Sequence, residues 1–222
     1  MIQALFKKVL ISALAPSMRS PSGFTGYFAR KVMRKSNPVS TQVGIQRLDL
    51  QPSDVFVELG GGEGAGIKAV FDQPDKVPSM IHLVEISEDF RAELTRVIKE
   101  DLPQTDGIGN KIEIHGEDCK QMPYLQDNSV SKMFGMNVVY FLDPLPEYLN
   151  EIHRVLKPGG VVVFGCKFKN LPKDDNVFIN VEEQPITRSM EAAGFQVGTA
   201  FVEVSADNPV WNYLEVKGVK SG

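Results

Sequence analysis

Cysteine is scarce in this 222-residue chain: Cys119 and Cys166 stand far apart, with no C-x-x-C spacing. The three histidines, His82, His115 and His153, are scattered as well. A disulfide scaffold or a zinc site is therefore not expected, and a reducing, intracellular (cytoplasmic) setting is the default. No apolar run approaches the roughly 20 residues a membrane span requires, and no internal repeat or low-complexity tract occurs. The most telling scarcity is local. Residues 1–48 contain no Asp or Glu but eight basic residues: Lys7, Lys8, Arg19, Arg30, Lys31, Arg34, Lys35 and Arg47. The remainder holds 16 basic and 28 acidic side chains, a net −12 within an overall −4. A cationic end beside an acidic body argues against nucleic acid as a partner, because the body would repel phosphates.

What is present has the size and composition of one full domain, with 42% hydrophobic and 23% charged residues. Ile2, Leu5, Phe6, Val9, Leu10, Ala13 and Leu14 recur at helical spacing until Pro16. This stretch fits a packed helix, a membrane-surface helix or a mitochondrial-type presequence, and the sequence does not separate the three. Residues 21–26 read as a loop, and Tyr27 to Lys35 as a short basic helix stopped by Asn37-Pro38. Ser40 or Thr41 would cap a third helix carrying Val43, Ile45 and Leu48. Five strand-like runs follow, at 55–58, 80–85, 112–115, 130–136 and 161–166, separated by helical or loop segments. That alternation predicts a parallel, doubly wound α/β sheet. Phe195–Val204 and Val210–Lys217, joined by Ala206-Asp207-Asn208-Pro209, predict a closing antiparallel hairpin.

The first strand, Val55-Phe56-Val57-Glu58, breaks into Leu59-Gly60-Gly61-Gly62-Glu63-Gly64 and then a helix. Glycines allow φ > 0 and close approach of a ligand to the backbone. Gly60-x-Gly62-x-x-Ala65 satisfies a dinucleotide fingerprint, while Glu58-x-Gly60-x-Gly62-x-Gly64 satisfies the acidic loop of S-adenosylmethionine-dependent methyltransferases. In such sheets ligands bind beyond the C-terminal strand ends. Glu58, Glu85 with Ile86, Asp118-Cys119 and Asn137 all fall there. Glu58 and the glycine turn suit the methionine portion, and Glu85 can accept from two ribose hydroxyls. Asp118 can accept from an adenine amino group, with the Cys119 N–H facing a ring nitrogen. An Asp after a Gly is more often a turn residue, but three carboxylates at successive strand ends weigh against that reading.

Residues from about 53 to 166 resemble the class I S-adenosylmethionine-dependent methyltransferases. The resemblance rests on Val55 to Gly64, Leu83-Val84-Glu85, Gly116-Glu117-Asp118-Cys119 and Met136 to Phe141. Above all it rests on Leu149 to Gly160, which ends Arg154-Val155-Leu156-Lys157-Pro158-Gly159-Gly160. Within the class the chain looks like the ubiquinone/menaquinone C-methyltransferase-like branch of small-molecule enzymes. The resemblance implies a mostly parallel seven-stranded sheet with an antiparallel end, residues 49–222, preceded by a helical lid, residues 1–48. It also implies S-adenosyl-L-methionine as cofactor. Two departures stand out. Val130-Ser131-Lys132 replaces a usual acidic motif, and neither Asn-Pro-Pro-Tyr nor Asp-Pro-Pro-Tyr follows the fourth strand, which argues against methylation of a base nitrogen or glutamine amide.

Methyl transfer from a sulfonium needs chiefly proximity and alignment, so no triad or metal cluster is required. Tyr27 from the lid, Asn137 and Tyr140 are the candidates near the transfer site. Tyr140 is also a plain packing aromatic by its context, and His153, mid-helix, reads as structural. The basic, acid-free N-terminus points to a lipid-like, quinone-like or anionic acceptor, or to peripheral membrane contact through residues 1–35. A non-catalytic cofactor-binding protein keeps every motif, and an NAD-dependent oxidoreductase keeps the glycine turn and Glu85.

Overall fold

The computed structural model describes residues 23–103, 111–168 and 177–222. The helix expected over 2–14, the loop start at Pro21 and most of the 102–110 loop lie outside the described residues. The chain runs α1 (Gly23–Leu48), β1 (Val55–Leu59), α2 (Ala65–Phe71), β2 (Met80–Val84), α3 (Glu88–Glu100), β3 (Ile112–His115) and β4 (Val130–Met136). It continues with α4 (Leu145–Val155), β5 (Leu156–Cys166), α5 (Glu183–Ala192), β6 (Phe195–Val202) and β7 (Tyr213–Lys220). The seven strands form one sheet in the order β3-β2-β1-β4-β5-β7-β6. The first five are parallel, and β7 pairs antiparallel with both β5 and β6. The expected α/β sheet with its closing hairpin is therefore present.

Alternation along the strands gives the sheet two covered faces. Phe56, Ile81, Leu83, Phe134 and Val163 point to one side, where Ile45 and Leu48 of α1, Ile67 and Val70 of α2, and Leu94 and Val97 of α3 cover them. Val57, Val84, Met133, Val162 and Phe164 point to the other, packed under Tyr148, Leu149 and Ile152 of α4 and Ile186 and Met190 of α5. Burying such a side chain stabilises the fold by about 1.5–3 kcal/mol. Strand order reverses between β1 and β4, and the crevice at that point is where a ligand finds two diverging loops.

Three segments differ from the sequence reading. First, residues 23–26 of the predicted loop and the stop at Asn37-Pro38 give way to one continuous helix from Gly23 to Leu48 with Pro38 inside it. Proline removes an N–H and crowds the preceding turn, but contacts outside the helix hold both sides of it. The Lys35 carbonyl accepts from the Trp211 indole N–H (3.2 Å), and Ser40 Oγ donates to the Trp211 carbonyl (2.7 Å). Second, β5 begins at Leu156, directly after α4, and runs through Lys157-Pro158-Gly159-Gly160 with a register irregularity against β4. Gly159 takes φ +76°, which a side chain rarely adopts. Third, the hairpin connection is longer than predicted. β7 starts at Tyr213, and Asn212 Oδ1 accepts from the Val204 and Ser205 N–H groups (2.7 and 3.0 Å) to close the loop.

Lys132, in the Val130-Ser131-Lys132 segment, has a structural task. Its ammonium donates to the Leu48 carbonyl (2.9 Å) and the Asp49 carbonyl, and lies 3.5 Å from the Asp54 carboxylate. A cation at the C-terminus of α1 satisfies carbonyls that the helix leaves open.

Candidate functional site

The glycine turn is left-handed at three points: Gly60 (φ +69°), Gly62 (φ +53°) and Gly64 (φ +81°). A methyl group at Gly60 would lie 2.6 Å from Val138 Cγ2, so the turn and the loop after β4 touch through this missing side chain. The Gly60 N–H donates to the Val84 carbonyl (2.8 Å), tying the turn to the end of β2.

Glu58 and Glu85 are both buried, 4% and 5% exposed, but differently served. Glu85 Oε2 accepts from the Gly62 N–H (3.0 Å) and Oε1 from the Ser87 N–H (2.8 Å). Burial raises its pKa, and these two N–H groups oppose the rise. Glu58 lies against α2, where a Cβ on Gly66 would overlap its carboxylate. Its Oε2 has no hydrogen-bond partner among the described residues. Burial first, and the Glu85 charge second, push Glu58 up to about 8. An unpartnered buried carboxylate is a costly group, and it fits a cationic ligand atom.

An open cleft beyond the strand ends is lined by Gly60, Gly62, Glu85, Ile86, Asp118, Cys119 and Asn137 among others. The structure thus brings most of the sequence-predicted cofactor residues to one surface, while Glu58 and Gly64 stand behind it. Ile86 is 39% exposed, an uncommon state for isoleucine. Asp118 Oδ2 accepts from the Tyr148 hydroxyl (3.0 Å), and Oδ1 from the Lys120 N–H (3.1 Å). The loop that carries Asp118 is held by the most diagnostic stretch of the sequence. Arg154 donates to the Met122 and Leu125 carbonyls (3.1 Å each), to Asp127 (2.6 Å) and to Glu151 (2.7 Å). Glu151 Oε1 in turn accepts from the Met122 N–H (2.6 Å).

Asn137 takes φ +59°, strained for a residue with a side chain, and its N–H donates to the Gly165 carbonyl (2.8 Å). Its Nδ2 donates to Asn37 Oδ1 of α1 (3.1 Å), and its Oδ1 accepts from the Tyr140 hydroxyl (3.0 Å). Tyr140 is 2% exposed, outside the cleft lining, and its oxygen also accepts from the Lys167 N–H. Burial holds its phenol well above the ordinary value of a tyrosine. Tyr27 lies in α1, with its side chain outside the described residues.

Sequence reasoning missed four contributors. Met33 and Asn37 of α1 line the cleft, because the helix is unbroken there. Tyr148, counted only as an inward apolar position, reaches Asp118 with its hydroxyl; a buried tyrosine needs such a partner, which was the available signal. Arg91 Nη1 donates to the Glu85 and Ile86 carbonyls (2.9 and 2.8 Å), fixing the turn after β2. The helix α1 itself is clamped across the cleft mouth by Arg34–Glu63 (2.8 Å) and Arg30–Asp89 (3.2 Å), with the Arg30 guanidinium 4.9 Å above the Phe90 ring.

The histidines also depart from expectation: His82 Nδ1 and His115 Nε2 lie 3.0 Å apart on neighbouring strands. His153 packs edge-on against Phe195, a structural position as the sequence implied.

Residues 57–164 match a family model described as a methyltransferase domain. Comparison with curated proteins finds no match. Among solved structures, the methyltransferase in complex with the Haloferax volcanii Trm112 methyltransferase activator is 17% identical, with TM-score 0.69 over 86% of this chain and 93% of that one. The [4+2]-cyclase SpnF is 17% identical, with TM-score 0.64 over 83% and 81%. A Haemonchus contortus phosphoethanolamine N-methyltransferase, bound to phosphomonomethylethanolamine and S-adenosylhomocysteine, is 15% identical, with TM-score 0.60 over 82% of this chain and 52% of that one. Residues 57–164 thus resemble a methyltransferase domain, and the chain shares the Rossmann-like fold of these solved structures.

Proposed function

We propose that this protein transfers a methyl group from S-adenosylmethionine to a small acceptor that is apolar or anionic. The observation that carries the reading is the Glu58 carboxylate, buried behind the glycine turn with an oxygen that nothing in the described chain satisfies. A methionine ammonium, directly or through water, would supply the missing partner. Glu85 retains lone pairs beside its two backbone bonds for ribose hydroxyls, and Asp118 with the Cys119 N–H would hold adenine near the exposed Ile86.

Bound S-adenosylmethionine supplies an electrophilic methyl group on a sulfonium. This chain's residues then position the acceptor and exclude water. Met33, Met136, Val138, Phe141 and Leu142 give the cleft an apolar side, which suits a lipid-like or quinone-like acceptor. Asn137 faces the cleft from a strained backbone and aligns what binds there. Tyr140, bonded at its hydroxyl and enclosed, is assigned to holding Asn137 rather than to proton transfer. The basic residues of 1–35 support contact with an anionic lipid surface.

The test is calorimetric titration with S-adenosylmethionine, S-adenosylhomocysteine and NADH in parallel, followed by transfer of labelled methyl to quinones and lipid extracts. Micromolar binding of the first two, lost in Glu85→Ala, together with label in an extracted product, is expected. Binding of NADH alone would overturn the cofactor assignment. Cofactor binding with no transfer to any acceptor would leave a binding protein and remove the enzymatic reading. Deleting residues 1–20 is expected to weaken liposome binding and acceptor turnover, and unchanged values would remove the membrane contact.

A further inference from the structure

His82 lies in β2, and Glu113 and His115 in β3, the edge strand. The parallel register pairs His82 with Glu113 and Val84 with His115, so all three side chains leave the same face of the sheet. His82 Nδ1 is 3.0 Å from His115 Nε2, and Glu113 Oε2 is 3.4 Å from the first and 3.5 Å from the second. Three ligands placed roughly 2.0–2.1 Å from a tetrahedral zinc ion are separated by roughly 3.3–3.4 Å from one another. The two edges to Glu113 are close to that length, and the His82–His115 edge, at 3.0 Å, is shorter. The geometry points to a tetrahedral divalent-metal site of the zinc class at His82, Glu113 and His115, with its fourth position open to water or a further oxygen donor.

The surroundings are those of a positioned ligand set. The His82 and His115 side chains are only 8% and 11% exposed, whereas Glu113 is 53% exposed and gives a path from solvent. The Tyr124 ring stacks flat on His115, with centroids 3.5 Å apart and planes 1° apart, and so fixes the plane of that imidazole. Two imidazoles and one carboxylate are borderline donors, suited to zinc over magnesium or calcium, which prefer oxygen alone. The site is separate from the cofactor cleft but joined to it: the His115 carbonyl accepts the Glu85 N–H (2.9 Å). A metal here would brace the end of β3 from which Glu85 hangs.

The experiment is zinc titration of the full, tag-free chain after chelator treatment, read by competition with a metallochromic indicator. One zinc per chain with micromolar or tighter affinity is expected. His115→Gln is expected to abolish it, and Glu113→Gln to weaken it by about tenfold or more, losing an ionic ligand outright where even an outer-shell change costs 10–100-fold. Because Glu113 is exposed, that variant keeps the fold, and at one fixed zinc concentration the melting temperature should rise more for the wild type than for the variant. No saturable zinc below about 1 mM, a level at which binding contributes only about 4 kcal/mol, would leave a hydrogen-bonded histidine pair and overturn the site. So would equal affinity in the wild type and both variants, which would put the ion elsewhere.

Discussion

On the strand side of the cleft Glu85 is buried and bonded to backbone; on the α1 side two ion pairs, each with one exposed member, close the mouth. Glu85 meets two N–H groups, and Asp118 sits on a loop pinned by Arg154. Across the mouth, Arg34, 63% exposed, meets Glu63, and Arg30 meets the exposed Asp89. Charge-assisted bonds in a low-dielectric setting are strong and costly to break, while surface ion pairs contribute about 0–1 kcal/mol each. Under the proposed function, precision would belong to the half that holds the cofactor and adjustability to the half that admits the acceptor.

The comparison breaks most visibly at Glu85. Removing its carboxylate leaves two N–H groups unserved, and Glu85→Ala is expected to weaken cofactor binding by about 100-fold, with two charge-assisted bonds at stake; calorimetry reads it. Glu58→Gln separates burial from charge. A carboxyl raised to about 8 in the fold holds its proton more tightly than in the unfolded chain. Wild-type stability should therefore fall as pH rises from about 4.5, the fall being complete above 8 and on the order of a few kcal/mol. Denaturant melts of Glu58→Gln between pH 6 and 8 should lack this fall, and a slope equal to wild type would sink this account. Binding of a cationic cofactor atom should expel the proton, seen near pH 7 as a buffer-dependent heat in wild type and not in Glu58→Gln.

Smaller effects sharpen the contrast. Tyr140→Phe removes two buried hydrogen bonds, so unfolding should become easier by about 1–2 kcal/mol. Turnover, normalised to folded protein, should change by less than tenfold; a loss of several orders of magnitude would make Tyr140 a proton-transfer group. Arg34→Ala, which removes the ion pair with Glu63 at the cleft mouth, should alter cofactor affinity by less than about fivefold. An effect on acceptor KM larger than on cofactor affinity would mark α1 as the acceptor's side.

The strand-end half was readable because it follows chain order: each of the first four strands has its candidate residue at its C-terminal end or within three residues beyond it. Glu58, Glu85, Asp118 and Asn137 needed only the knowledge that parallel strands end together. The α1 half was not readable. Its proline looks like a stop, and the Trp211 contacts that support the unbroken helix come from about 170 residues downstream. A separation of 33 residues hid His82 from His115, although aligning the ends of β2 and β3 and counting back by twos would have put them on one face. Tyr148 was hidden by its apolar ring, and Arg91 by an ordinary helical position.

The parallel order β1, β2, β3 has a metric consequence. Neighbouring strands lie about 4.8 Å apart because the hydrogen bond sets that distance, whatever the side chains. The ends of three consecutive strands therefore graduate the base of the cleft like a rule, in steps no loop can rescale. Insertions after any strand can reshape walls and covers, but the interval from Glu58 to Glu85 stays one division. A ligand of different length could be accommodated only by counting to another strand, so the sheet itself sets the gauge of what it holds.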